Sequence, residues 1–329
     1  MLTRATAYAW HDQNYVEVLE THATGENLSL TDSNQARKTL HKIRAKKVIL
    51  ATGAHERPML FEANDLTNIM LSQSVRRYLN EFGVVSGKKV VVYGNNDSIY
   101  QTAKDLHSSH IACTVIDVRS ADLANTHAEE LKQIGVKVLQ GYAVVKAHGS
   151  DKVDSVDIAL ATRQGTSWEV IGEGESLSCD LLATSGGFNP VVHLDCHTGA
   201  KATFDEVSQA FLPQKDRVNR QTCGAVSGVG SWHDAVIDGK NKAQSTLQSL
   251  GVVSEVSDAD LSENHANYFN VSEFFTPDAI IERPKVFLDL QNDVTTLDVA
   301  LSIREGYRSI EHIKRYTAMG FGTDQGKTG

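Results

Sequence analysis

Four stretches of this sequence carry side chains that could do chemistry. Residues 311–317 (EHIKRYT) gather a histidine, a lysine, an arginine and hydroxyls, and Lys327 follows beyond glycines at 320, 322 and 326. Cations beside turn glycines suit a phosphate; they equally suit a solvated helix face. Residues 94–99 (GNNDSI) sit where a dinucleotide fingerprint G-x-G-x-x-G belongs, and only Gly94 is kept. Asn96 and Ile99 replace the glycines that admit a pyrophosphate and let helix pack on strand, and Asp97 sets a negative charge where phosphate would lie. Asp117 stands at the acidic position of the following strand, with Arg119 just after it. This stretch reads as a structural Rossmann unit that has lost its ligand, with a working nucleotide site as the alternative. Residues 193–197 (HLDCH) have metal-ligand chemistry, but on one short stretch, whereas zinc draws four ligands from separate elements. A loop lining a pocket or an interface is expected there. Residues 55–58 (HERP) read either as a charged loop held by Pro58 or as Arg57 facing a cofactor phosphate or a partner protein. No Ser-His-Asp or Cys-His nucleophile arrangement stands out.

The elements that must position these groups follow from the hydrophobic pattern. Residues 15–20 read as a strand and 31–38 as an exposed turn. Residues 45–53 (AKKVILATG) form a short β-branched run ending in glycine, as a buried parallel strand does on meeting a loop. Residues 68–82 have helical spacing. Strands are expected at 88–93, 111–118 and 136–140, alternating with helices at 99–108 and 125–134, which gives βαβαβ and a parallel sheet. A β meander follows over 153–162 and 167–171, then a buried strand at 178–184. A glycine-rich turn near 223–230 opens a helix reaching residue 250, and 252–267 is polar and acidic, a linker. The tail reads as a strand at 285–290 and helices at 296–305 and 309–316. An A-T-G strand end, a degenerate Rossmann unit, a second strand ending in Gly186-Gly187 and a Gly-rich turn before a helix occur in that order. That is the layout of an α/β two-dinucleotide-domain flavoprotein of the disulfide-reductase type, here a fragment with a small C-terminal helical domain. The strand-GxGxxG-helix that should open this fold is not found before Ala45.

The 329 residues suggest about two domains. Apolar residues make up 41% and charged residues 22%, which excludes a wholly disordered chain. A net charge of −9 argues against binding nucleic acid or an anionic membrane. No apolar run approaches the roughly 18 residues of a membrane span, and the first residues lack the apolar core of a secretory signal. Cys113, Cys179, Cys196 and Cys223 are 66, 17 and 27 positions apart and form no C-x-x-C. Scattered, buried thiols in a cytoplasmic protein are the expectation.

At this point the residues are recognisable. ATGAHERP (51–58), VVVYGNNDSIY (90–100), LLATSGGFNPVVHL (181–194), FLDLQNDVTTLDV (287–299) and REGYRSIEHIKRYTAMGFGTDQGKT (304–328) closely resemble the α subunits of heterotetrameric sarcosine oxidases. Opine oxidase and hydrogen cyanide synthase subunits share the architecture, but usually carry a cysteine-rich [2Fe–2S] segment in the tail. On this sequence those cysteine positions fall on Asp289, Gln291, Asp324 and Gly329, so no thiolate remains to hold a cluster.

The resemblance implies four regions: 1–60 as the closing part of a first (NAD/FAD-type) dinucleotide domain, 61–186 as the degenerate second Rossmann domain, 187–255 as the return to the first, and 256–329 as a small BFD-like domain without Fe–S cysteines. It implies oxidative demethylation of sarcosine to glycine, yielding H2O2 and 5,10-methylenetetrahydrofolate. The amine is oxidised at FAD on a β subunit, with FMN held between α and β. Partners are β, γ and δ subunits, and α also carries an NAD that takes no part in turnover. His312, Thr317 and Lys327 are the first candidates for FMN contacts and Lys314, Arg315 and Gln325 the second; Thr52 and Gly53 are the residual NAD-side candidates. Neither the first GxGxxG nor a folate domain is found, so the expectation is an internal fragment of a longer subunit, inactive alone, with NAD binding weakened. The rival readings are a non-catalytic scaffold and a component of a related opine or amine oxidase; the missing cysteines argue against the latter.

Overall fold

A computed structural model describes residues 1–22, 37–120, 122, 125–165, 167–214, 219–253, 271 and 276–327. The expected turn at 31–38 lies outside the described residues up to 36, and so does most of the linker at 252–267. The chain divides into two compact units, one of Met1–Ala54, Asn189–Glu206 and Ala210–His265, the other of His55–Phe188, Val207–Gln209 and Ala266–Gly329.

The second unit is built on a five-stranded parallel sheet in the order Ile69–Leu71, Leu181–Ser185, Lys89–Gly94, Ala112–Asp117, Lys137–Gln140. Its central strand shows why the sequence folds this way. Successive side chains of a strand point to opposite faces. Val90 and Val92 enter a cluster with Ile99, Ala103 and Leu106 of the helix Ser98–Ser108 and Leu131 of the helix Thr126–Gln133. Val91 and Tyr93 enter a different cluster, with Val144, Val156 and Ile158 of a three-stranded antiparallel sheet. The parallel sheet therefore has helices on one face and a β layer on the other, and its core strand must be apolar throughout. The meander strands are Tyr142–His148, Ser155–Gln164 and Ser167–Ser178.

The expected helix at 68–82 is corrected. Ile69–Leu71 is an edge strand, pairing in parallel with Leu182–Thr184, and the helix is Ser72–Phe82. An apolar triplet fits a helical stripe or a buried strand equally well, and the partner strand decides. Leu181–Ser185 likewise starts later than expected, because Ser178 closes the last meander strand.

The tail from Ala266 belongs to this second unit. Asn64 docks it like a strand residue, donating from Nδ2 to the Phe287 carbonyl at 2.9 Å and accepting from the Phe287 amide at 2.8 Å. Arg283 adds an ion pair to Glu62. A short hairpin, Phe287–Asp289 with Val294–Thr295, leads into the helix Thr296–Arg304, which opens on a Thr295/Asp298 capping box. The helix Ile310–Thr317 follows.

The first unit holds a three-stranded antiparallel sheet of Ala5–His11, Tyr15–Thr21 and Lys38–Arg44. The strand Ala5–His11 was not expected; three alanines weaken its apolar signal, and pairing with Tyr15–Thr21 supplies what propensity does not. The run at 45–53 narrows to Val48–Leu50, paired in parallel with Arg220–Thr222. The helix Trp232–Ser249 starts at Ser231, whose side chain caps the Asp234 amide. The four cysteines are free, and Cys196 is exposed rather than buried. No helix among the described residues is long and apolar enough to cross a membrane.

Candidate functional site

The basic tail stretch becomes a short amphipathic helix of about two turns and a glycine loop. Ile313 is buried and fixes the orientation of Ile310–Thr317, leaving His312, Arg315 and Tyr316 exposed. Tyr307 packs on Tyr316 with ring centroids 4.9 Å apart, and its ring edge meets His312 at 6.5 Å. Lys314 lays its ammonium over the Phe321 ring, 5.3 Å from the centroid. Gly320 and Gly326 have φ of +73° and +75°, and a Cβ on Gly326 would lie 3.1 Å from Gly320 Cα. The loop thus closes on itself and brings Lys327 into the neighbourhood of Lys314. Arg315 and Lys327 form no ion pair with a described residue. Exposed cations and aromatic faces together suit a phosphate and a flat ring system, whereas the amides of Gly320, Phe321, Thr323, Gln325, Gly326 and Lys327 are spent inside the loop.

Two members of the expected set are committed locally. Thr317 Oγ1 donates to the Ile313 carbonyl at 2.8 Å and accepts from the Met319 amide, closing the helix. Gln325 donates from Nε2 to the Gly322 carbonyl at 3.1 Å. What the sequence hid is the support beneath the loop. The Asp289 carboxylate accepts from the amides of Gln291, Asn292 and Gly320. Gln291 Oε1 accepts from the amide and hydroxyl of Thr323. Two of the positions that lack a thiolate, 289 and 291, are therefore the ones that hold the loop. Gly329 lies outside the described residues.

In the first unit, Thr52 Oγ1 donates to the Val191 carbonyl at 2.7 Å, and the Gly53 carbonyl accepts from the Val191 amide. Gly53 has φ +74° and open space where a Cβ would stand, so the backbone there is accessible to a ligand. Asp195 of the HLDCH stretch is buried in the helix His193–His197 and pairs with Arg220. Asp195 is thus held in an ion pair on a helix rather than displayed on a pocket-lining loop. No group of metal-ligand side chains is gathered among the described residues.

Within the HERP stretch His55 and Pro58 are exposed, but the two charged side chains between them turn inward. Glu56 is 6% exposed and accepts from the Gln73 amide at 2.8 Å, at the start of the helix Ser72–Phe82. Burial pushes its carboxyl up to about 7, against the opposing hydrogen bond from the Gln73 amide. Arg57 donates from Nη1 to the Gln209 carbonyl at 2.7 Å.

Comparisons with known proteins agree with this organisation. Residues 8–209 match the family described as pyridine nucleotide-disulphide oxidoreductase, and residues 283–329 match the sarcosine oxidase A3 domain. The chain is 35% identical over 99% of its length to the sarcosine oxidase α subunit of Corynebacterium sp. (strain U-96), and spans 34% of that protein. It is 28% identical to the Rhizobium meliloti (strain 1021) counterpart, spanning 31% of it. An opine oxidase subunit from Agrobacterium tumefaciens (strain Ach5) is more distant, at 23% identity over 87% of this chain and 62% of the relative. Among solved structures, L-proline dehydrogenase from P. horikoshii superposes with a TM-score of 0.65 at 20% identity, covering 98% of this chain and 56% of that one; this likeness concerns the fold. The chain therefore spans about a third of the length of the sarcosine oxidase relatives it matches.

Proposed function

The chain belongs to the pyridine nucleotide-disulphide oxidoreductase family, and on that premise we propose that it serves as α-subunit sequence of a cytoplasmic sarcosine oxidase, forming the α side of an FMN site shared with a β subunit. The observation that carries this reading is the alignment of 99% of the chain with sarcosine oxidase α subunits, tail included. The residues present fit such a group: Arg315 and Lys327 are exposed and Lys314 half-buried, beside a closed glycine loop.

His312, Arg315 and Lys327 bind the phosphate and the electron-rich ring edge, and Lys314 is steadied by Phe321. Gln325 and Thr317 order the loop and the helix end, which keeps the cations in place. Bound FMN would supply the step that hands electrons from amine oxidation to O2. The β, γ and δ subunits complete the complex, and sarcosine is demethylated on β. Thr52 and Gly53 are the residues offered to a non-turnover NAD. No iron–sulfur cluster belongs to this reading, because Asp289, Gln291 and Asp324 present oxygen and not sulfur.

The test is co-expression of the subunit containing this chain with β, γ and δ subunits. A stable complex with sarcosine-dependent H2O2 release is expected, without stoichiometric iron or acid-labile sulfide. A complex that assembles but oxidises only opines would overturn the substrate assignment. Failure of the chain to associate with β would overturn the shared site.

A further inference from the structure

The fold family places a dinucleotide at the carboxyl ends of the parallel strands of each Rossmann unit. In the second unit that crevice lies between the ends of Lys89–Gly94 and Leu181–Ser185. It is filled by the chain itself. Asn96, at the second fingerprint position, is fully buried. Its Nδ2 donates to the Ser185 carbonyl and to Ser185 Oγ, both at 3.0 Å. Its Oδ1 accepts from the Ser98 amide at 3.1 Å and from Ser98 Oγ at 2.6 Å. The first amide of the helix, which a pyrophosphate would claim, is thus already occupied. Val271 forms an antiparallel bridge with Asn96 and stands against Gly187, covering the loop from outside.

The ribose end is filled as well. Asp117, the residue that would hold a ribose hydroxyl, is fully buried. Its two oxygens accept from Arg119 Nε at 3.0 Å each, and Oδ2 also accepts from Arg119 Nη2 at 2.8 Å and from the Tyr100 hydroxyl. Arg119 Nη1 reaches Asp97 at 2.7 Å, and the guanidinium lies 5.6 Å from the centre of the Tyr100 ring. Asn125 donates to Asp97 from the next helix's N-cap. A dinucleotide would bring phosphate charge beside Asp97 and would compete with Arg119 for Asp117.

We propose that Arg119, with Asn96, takes from within the chain the place of the dinucleotide in the second Rossmann unit, so that this unit is closed to NADH and NADPH. The two carboxylates need one guanidinium to be buried together, and the fork of Arg spans both where a lysine would not. Hydride from a reduced nicotinamide then has no entry through this unit, whatever the rest of the protein oxidises. The inference is independent of the sarcosine oxidase reading.

Hydrogen exchange on the full chain, alone and with millimolar NADH or NADPH, tests it. Unchanged exchange of the amides over 94–100 and 117–119 is expected, and slowing confined to residues 52–53 supports the proposal by placing the nucleotide in the first unit alone. A saturable slowing over 94–100 or 117–119 would overturn it. Arg119→Ala is expected to melt about 10 °C below wild type and to recover in low-millimolar guanidinium. An Arg119→Ala chain that melts like wild type contradicts the plug. Should that variant not fold, Arg119→Lys is expected to melt between the two, and equal melting with wild type contradicts the need for a fork.

Discussion

The Asp289 carboxylate accepts the amide hydrogen of Gly320 at 2.7 Å across 31 positions of sequence, tying the turn of the tail hairpin to the glycine loop beyond the last helix. Burial alone would raise this carboxyl; the hydrogen bonds from Asn292, Gly320 and Gln291 outweigh it and hold it below the usual aspartate range. Asp289→Ala leaves three backbone amides without their acceptor. A cost of about 2–4 kcal/mol is expected, with amide exchange rising at 320–326 and not in the parallel sheet. Because the folded carboxyl titrates below its unfolded value, the loop's share of stability is present above the unfolded pKa and is lost as pH falls through the folded one. Unchanged protection of Gly320 in the variant would remove the clamp.

Glu56 has the opposite sign. Its carboxyl is raised from 4.5 to about 7, so the folded chain binds the extra proton between those values. The group's contribution declines as pH rises from about 4.5 through 7, on the order of 3 kcal/mol in all. Glu56→Gln is expected to gain on wild type by that amount between pH 4.5 and pH 8, read from urea midpoints at both. Parallel pH profiles for the two chains would contradict the assignment.

Gly94 is required for contact, not for a ligand. A Cβ there would lie 2.4 Å from the Ser185 carbonyl oxygen, which is backbone and cannot step aside. Gly94→Ala is expected to destabilise the second unit by about 2–4 kcal/mol. A denaturation midpoint equal to wild type would show that the strands can part there at no cost.

In the first unit, Asp195 and Arg220 form a buried ion pair between residues 25 positions apart. Asp195→Ala removes the carboxylate from the buried Arg220 guanidinium, which keeps its bond to the Gln214 carbonyl, and is expected to cost about 3–5 kcal/mol. If HLDCH instead held a metal, chelation would reproduce that loss in wild type; an unchanged melting curve in EDTA is expected.

Much of this was legible in the sequence, for identifiable reasons. The strand at 88–93 could be read because burial on both faces demands an unbroken β-branched run. The degenerate fingerprint could be read because Asn96 and Ile99 violate a spacing rule with a steric basis. Ile69–Leu71 could not be assigned, since three apolar residues carry no period. Nor could the path of Arg119 be read: sequence shows a basic residue two places after Asp117, but only the fold decides that it turns inward to Asp97. Asp289 and Gln291 were visible as oxygen-bearing residues at sulfur positions. Their partners in the glycine loop, Gly320 and Thr323, lie 31 and 32 positions away, and hydrogen bonds to backbone leave no compositional trace.

The FMN surface is the central claim, and flavin content tests it most directly. In the subunit containing this chain, assembled with its β, γ and δ partners, His312→Ala with Lys327→Ala should assemble normally, keep FAD and lose most of its FMN after gel filtration. Full FMN occupancy in that complex would contradict the account and move the flavin elsewhere.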